Sequence, residues 1–146
     1  MASISVSDGT ILIYIDTSRS VAVGGPGYGG YMITWIQGQE LGRRFPALIS
    51  CNGIRNIMSY LCRASDVRQS VMHNMGGPPW ADSEIFEEWK RWDPSRLLQN
   101  WTTPQLIAHG ALDRNHPVSD AFAAVQALQL REFIVLFYEL MMRGHS

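Results

Sequence analysis

The sequence has few cysteines, almost no net charge and no long apolar run. Its 146 residues contain two cysteines, Cys51 and Cys62, which excludes a scaffold held by disulfides. Twelve basic residues against 13 acidic ones leave no basic face, so we do not expect nucleic acid as a partner. No apolar run approaches the roughly 18 residues of a membrane span, and no charged-then-apolar leader is visible. We therefore expect one domain with its own core and no membrane partner, in a compartment that the sequence leaves open.

Short apolar runs alternate with segments of helical periodicity along the chain. Residues 1–10 are small and polar, and we expect them to be poorly ordered. Strand candidates follow at residues 11–15, 20–24, 45–50 and 104–110. Helix candidates lie at residues 31–39, 54–70 and 82–92, and another begins at Ser119, a capping residue. This alternation predicts an α/β fold with a parallel sheet flanked by helices.

Glycine is frequent, with 13 in the chain, and five of them fall within residues 24–30. Gly25, Gly27 and Gly30 fit the G-x-G-x-x-G pattern of a dinucleotide site. The next strand candidate lacks the acid at its end that this pattern requires. The cluster also fits the G-x-S-x-G frame of a nucleophile elbow, a tight strand-to-helix turn, with Gly27 at the serine position. A third interpretation is a turn that only packs a helix closely on a strand.

Several collinear motifs extend from Tyr14 to about Arg131. They are YIDTSRSVAVGG at 14–25, YGGYM at 28–32, WIQG at 35–38, GG-x-PW at 76–80, NW-x-TPQL at 100–106 and LD at 112–113. Together they resemble the catalytic domain of fungal dipeptidyl peptidases, which are serine peptidases of the prolyl oligopeptidase family. The resemblance implies a partial α/β-hydrolase-like sheet in a single truncated domain over residues 1–146, with a peptide or small-molecule ligand.

The resemblance assigns catalytic roles to individual positions. The nucleophile position is Gly27, and a glycine has no side chain that could form an acyl-enzyme. Tyr28 matches the residue whose backbone N–H would donate to the oxyanion, and Asp113 matches the triad acid. A loop aspartate that caps nearby backbone is the alternative for Asp113. Since the nucleophile is missing, we expect no peptidase activity.

The base of the implied triad depends on the structure of the C-terminal residues. His145 follows Asp113 at about the spacing that the family shows, but Glu132 stands where the family has a glycine between its last helix and last strand. If residues 133–138 form a strand, as their β propensity favours, His145 can approach Asp113. If residues 119–143 form one helix, it cannot, and His145 is then an exposed residue of a frayed terminus.

The other histidines and the tryptophans have plainer interpretations. We expect His109 to be packed within its strand, His116 to be a loop residue, and His73 to offer no base either. No histidine pair has zinc-site spacing, so we predict no metal and no cofactor. Trp80 and Trp101 correspond to a region near the active-site mouth of the family, where they would line a ligand pocket. Packing in the core is the alternative.

The chain resembles only the back portion of a hydrolase of this fold. The strands before the elbow and the β-propeller of the family have no counterpart among these residues, so we expect the second oxyanion donor to be missing. Residues 20–24 would then form an edge strand, which is a pairing hazard. Residues 11–15 could cover that edge as a substitute strand. Otherwise a second copy of the chain would cover it, and we expect a homo-oligomer.

Two hypotheses about function follow, with a third below them. The first is an inactive relative of a dipeptidyl-peptidase-type serine hydrolase that keeps a binding or interaction role. The second is an enzyme of non-serine chemistry that uses Asp113 as acid or base and the space at Gly27 for substrate. The third is nucleotide binding at the glycine turn, whose missing acid counts against it.

Overall fold

The computed structural model describes residues 3–7, 10–14, 21–63 and 68–140. Its strands are β1 (Ser3–Ser7), β2 (Thr10–Tyr14), β3 (Ala22–Gly24), β4 (Leu48–Cys51), β5 (Gln105–Gly110) and β6 (Val135–Leu140). Its helices are α1 (Tyr28–Gln37), α2 (Ile57–Arg63), α3 (Arg68–Asn74), α4 (Ser83–Arg91) and α5 (Val118–Leu130), with 3-10 helices at Glu40–Arg44 and Pro94–Asn100. Among these residues no helix has the length and apolarity to cross a membrane.

Four strands form one parallel sheet in the order β3-β4-β5-β6. The register places Leu48 beside Gln105, and Gln105 beside Val135. Helical segments follow β3, β4 and β5, and each crossover leads to the next strand in the sheet, so the four strands run parallel. The predicted α/β fold is therefore confirmed. The carboxyl ends of β3, β4 and β5 lie at one edge of this sheet, where ligand sites of such folds are found.

Two apolar clusters hold the helices in place, the first against the parallel sheet and the second against one another. One contains Trp101 and Ile107 with the inner face of α5, where Ala121, Ala124 and Leu128 are buried. The other joins Tyr31 of α1 to Ile57 and Leu61 of α2 and to Trp89 of α4. Burial of each larger apolar side chain contributes about 1.5–3 kcal/mol of transfer free energy. These contacts therefore hold the helices in place.

The N-terminal strands differ from the prediction. Residues 3–7 form β1, where the sequence predicted a poorly ordered start, and β1 pairs antiparallel with β2. The prediction that residues 11–15 cover the edge strand is therefore wrong, because β2 lies in a separate two-stranded sheet. Within the described residues β3 is an edge of the parallel sheet, as predicted, and Val23 is 64% exposed.

The end of α5 excludes a single helix over residues 119–143. The Phe133 N–H donates to the Leu128 carbonyl at 3.0 Å and the Glu132 N–H to the Gln129 carbonyl at 2.9 Å, which is the Schellman arrangement. It needs a left-handed residue, and Glu132 supplies it with φ 59°. The chain therefore leaves the helix without a glycine and continues into β6. At the other end Pro117, and not Ser119, is the N-cap, so that capping prediction was wrong.

Candidate active site

The turn between β3 and α1 has the sharp geometry of a nucleophile elbow. Gly27 precedes the first residue of α1 with φ 71° and ψ −122°, a left-handed backbone conformation that other residues adopt only under strain. Its N–H donates to the Asn52 carbonyl at 3.3 Å, and its carbonyl accepts the Tyr31 N–H at 3.0 Å. We call residues 25–29 the nucleophile turn. It carries no side chain at position 27, which the resemblance assigns to the nucleophile.

The glycines around this turn are not equally constrained. A Cβ on Gly30 would lie 2.3 Å from the Cys51 carbonyl oxygen, and one on Gly24 would lie 2.1 Å from the Gly29 carbonyl oxygen. A Cβ on Gly25 meets nothing within 4 Å, and one on Gly29 makes ordinary contact at 3.5 Å. Close approach of α1 to the sheet therefore requires Gly24 and Gly30. Gly25 and Gly29, which flank the serine position of the G-x-S-x-G frame, are not required for this close packing.

The N-terminus of α1 presents the oxyanion candidate. Tyr28 is the first residue of α1, and its side chain is 73% exposed beside the ring of Tyr31. The first N–H groups of a helix have no acceptor within it and lie at the positive end of the helix dipole. The backbone N–H of Tyr28 therefore has no acceptor within α1, and its role at an oxyanion stays a prediction.

Asp113 lies in the loop after β5 and is buried among hydrogen-bond donors. Its Oδ1 accepts the backbone N–H groups of Asn115 and His116, both at 2.9 Å. Its Oδ2 accepts the Asn52 amide at 2.5 Å and lies 3.5 Å from the His116 Nδ1. Burial by itself would raise the pKa of this carboxyl, but the hydrogen bonds from His116 and Asn52 outweigh burial and hold the pKa below its usual value.

Asn52 connects the loop that holds Asp113 to the nucleophile turn, and it was not among the residues predicted from the sequence. It follows β4 with φ 41°, a left-handed conformation that asparagine tolerates better than most residues. Its amide donates to Asp113, its Oδ1 accepts the Gly110 N–H at 2.9 Å, and its carbonyl accepts the Gly27 N–H. The signal that could have found it is its place at the end of a strand between the two neighbouring candidates.

The histidines take the following places. His109 is fully buried in β5, as predicted, and its Nε2 lies 2.6 Å from the His116 carbonyl oxygen. Burial lowers the pKa of His109, so the ring is neutral at pH 7. His116 is buried and stacked on Tyr60 with ring centroids 5.2 Å apart, so it is more than the loop residue that we expected. His145 lies outside the described residues. Since β6 runs beside β5, the helix that would have kept His145 away from Asp113 is excluded.

The two tryptophans that were expected to share a pocket lie in different places. Trp101 is 1% exposed within the core cluster on α5. Trp80 is 74% exposed and lines a surface cavity with Met72 and His73. Trp101 therefore packs in the core, whereas Trp80 lies at the surface.

A larger cavity opens beside the nucleophile turn. Its volume is about 720 Å³, which lies within the usual range of small-molecule sites. Helices α1 to α4 enclose it. Its walls include Tyr28, Tyr31, Trp35, Tyr60, Glu88 and Trp92. We call it the aromatic cavity. Among the described residues no group of three or more histidine, cysteine or acidic side chains could hold a metal ion.

Relatives of this chain are dipeptidyl-peptidases by name. A family model described as the prolyl oligopeptidase family matches residues 10–146. Dipeptidyl-peptidase 5 of Schizosaccharomyces pombe is 39% identical over 120 residues, which are 82% of this chain and 17% of that protein. Dipeptidyl-peptidase 5 of Aspergillus oryzae is 37% identical over 118 residues, 81% of this chain and 16% of that protein. The chain thus spans about a sixth of the length of these relatives.

Solved structures have the same fold. An acylaminoacyl peptidase in complex with Z-Gly-Gly-Phe-chloromethyl ketone superposes with a TM-score of 0.73 at 23% identity, over 90% of this chain and 20% of that one. The uncomplexed acylaminoacyl peptidase of Pyrococcus horikoshii gives 0.70 at 24% identity, over 88% and 20%. Since the family match extends over nearly the whole chain and the fold agrees, this chain belongs to the prolyl oligopeptidase family, with the α/β-hydrolase fold of its peptidases.

Proposed function

We propose that this chain is a catalytically inactive relative of dipeptidyl-peptidase-type serine hydrolases and that it binds a ligand in the aromatic cavity. The observation that carries the proposal is Gly27, which has the backbone geometry of a nucleophile turn and no nucleophile. Covalent catalysis needs an attacking oxygen or sulfur at this point, and no neighbouring base can replace it.

Two nucleophilic side chains lie near the turn, and neither takes over this role. Ser50 is buried, and its hydroxyl donates to the Gly30 carbonyl at 3.2 Å. Burial raises the pKa of the Cys51 thiol, although Arg55 opposes the shift, so Cys51 stays a thiol and is a poor nucleophile at pH 7. We therefore do not expect Ser50 or Cys51 to act as a substitute nucleophile.

Non-serine chemistry at Asp113 has less support than binding. Both carboxylate oxygens already accept hydrogen bonds, and a lowered pKa makes the group a weak base. The environment of Asp113 is that of a residue that holds two loops together. A ligand role therefore rests on the aromatic cavity, whose walls include Tyr28 of the nucleophile turn.

A serine-directed fluorophosphonate probe tests inactivity. We expect no covalent labelling of the native chain and no hydrolysis of dipeptide p-nitroanilides, because the position that would be phosphonylated is a glycine. Gly27→Ser supplies the nucleophile, and Gly25→Ser is its matched control, because its Cβ has open space outside the nucleophile position. Labelling of the native chain at any serine would refute the proposal. Labelling of Gly27→Ser alone would trace the inactivity to this one position.

The exposed edge of the parallel sheet supports a second, separate proposal. We propose that β3 pairs with the β3 of a second copy of this chain, because in the part of the chain that the structure describes β3 is an edge strand with an exposed Val23, which is a pairing hazard. We expect a dimeric mass by light scattering at micromolar concentration. Val23→Lys should shift the mass to that of a monomer, since a charge blunts edge pairing. A native monomer at that concentration would contradict the proposal.

A further inference from the structure

The aromatic cavity has an unusual balance of rings and charge. Five of its walls are the rings of Tyr28, Tyr31, Trp35, Tyr60 and Trp92. Their faces carry the negative end of the ring quadrupole. The rings stand in tilted pairs, with centroids 5.6 Å apart for Tyr28 with Tyr31 and for Trp35 with Trp92. Within the described part of the chain, the one charged side chain that lines this cavity is Glu88.

Glu88 is positioned at the cavity by its neighbours on α4. Its Oε1 accepts the Trp92 indole N–H at 2.6 Å, one helical turn away. Its other oxygen lies 3.7 Å from Arg91, whose side chain is 71% exposed. Such an exposed pair contributes about 0–1 kcal/mol, so Arg91 does not neutralise the carboxylate firmly.

Among the described residues the lining itself carries a single negative charge, and the cation Arg91 lies outside the lining, with its guanidinium 5.4 Å from the centroid of the Trp92 ring. No lysine or arginine lines it among the described residues. Burial, more than the nearby Asp93 carboxylate, raises the pKa of the Tyr31 hydroxyl, so the Tyr31 ring is neutral at pH 7. Asp93 is itself buried, 4% exposed. A cavity with this lining attracts cations and repels anions.

We propose that the aromatic cavity takes an organic cation, an ammonium group carried on an apolar body. The proposal rests on the ligand-binding role proposed above and names the ligand class of the same cavity. An ammonium over aromatic faces gains about 0.5–2 kcal/mol for each good contact, and the Glu88 carboxylate adds an ion pair in a partly desolvated place. Apolar walls such as Met32 and Ile57 suit the body of the ligand.

Choline and its neutral isostere 3,3-dimethylbutan-1-ol form a matched pair of probes. Two cavity walls are tryptophans, so tryptophan fluorescence and thermal shift report on binding. We expect choline to bind at least tenfold more tightly than the alcohol. Glu88→Gln, which keeps an acceptor for the Trp92 N–H, should weaken choline binding at least fivefold and leave the alcohol unchanged. Glu87→Gln is the control, because Glu87 pairs with Lys90 on the exposed side of α4.

The outcomes separate this inference from the proposed function. Equal affinity for choline and the alcohol would contradict the proposal that the ligand is a cation. Choline binding that Glu88→Gln does not weaken would contradict it as well. Either result would leave the proposed binding role in place. Absence of binding for both probes would overturn the cation and the binding role together, while the inactivity proposed from Gly27 has its own test in the fluorophosphonate probe. An acetylated and amidated peptide with one trimethyllysine distinguishes the source of the cation. Competition with choline supports a peptide side chain as the natural ligand, and choline binding without competition supports a free amine.

Discussion

Gly30→Ala is expected to lower the free energy of unfolding by about 3–5 kcal/mol. A Cβ at this position would lie 2.3 Å from the Cys51 carbonyl oxygen and 2.6 Å from the Gly53 Cα, and both are backbone atoms that cannot rotate away. Helix α1 would have to move off β4. The movement would also break the hydrogen bond that the Gly30 carbonyl accepts from the Ser50 hydroxyl of β4.

The adjacent glycine is the matched control. Gly29→Ala adds the same methyl group on the same turn of α1, where it makes ordinary contact at 3.5 Å. Because alanine favours a helix over glycine, we expect a change between zero and about 1 kcal/mol of stabilisation. Urea unfolding followed by circular dichroism measures both variants. Equal stabilities would contradict the close packing of α1 on the end of β4.

Asn52→Asp is expected to destabilise the chain by about 3–5 kcal/mol at pH 7.5. The substitution keeps the shape of the side chain and the acceptor for the Gly110 N–H. It replaces the amide donor, 2.5 Å from the Asp113 Oδ2, with a second buried carboxylate oxygen. Two negative charges then face each other at hydrogen-bond distance in a site with little water.

The stability of Asn52→Asp and the contribution of Asp113 to the stability of the native chain are expected to change in opposite directions with pH. In the native chain the pKa of Asp113 is lowered, so its contribution to stability is present above the unfolded value of about 3.9 and is lost as the pH falls further. In Asn52→Asp the two carboxyls raise the pKa of the pair above the unfolded value. The folded variant then takes up a proton that the unfolded chain does not, and its deficit shrinks as the pH falls from 7.5 to 4.5.

Urea unfolding at both pH values measures this difference. Asn74→Asp is a suitable control, because Asn74 is exposed on α3 and the new charge remains in water. We expect a deficit within about 0.5 kcal/mol for it at either pH, as for other surface substitutions. A deficit of Asn52→Asp that stays constant with pH would mean that Asn52 does not face the Asp113 carboxylate.

Local patterns in the sequence are enough to predict the fold class and to locate the glycine turn. Alternating apolar runs and helical periodicities are local patterns, and they specify a parallel α/β sheet without knowledge of the contacts. The glycine cluster at residues 24–30 marks the nucleophile turn, because only glycine tolerates both the left-handed backbone at Gly27 and the close packing around it. That Gly27 lacks a side chain is read directly from the sequence.

The tertiary structure decided which residues serve the turn. Asn52 and Asp113 are 61 residues apart, and pairing of β4 with β5 brings them together, which no local pattern reveals. The structure also ended α5 at a left-handed Glu132, where hydrogen bonds and the contact of Phe133 with Leu128 outweigh the local preference for glycine. Local preference alone does not decide where an element ends or which residues meet. The energy of each contact depends on residues far away in the chain, so both are fixed only when the whole sheet is assembled.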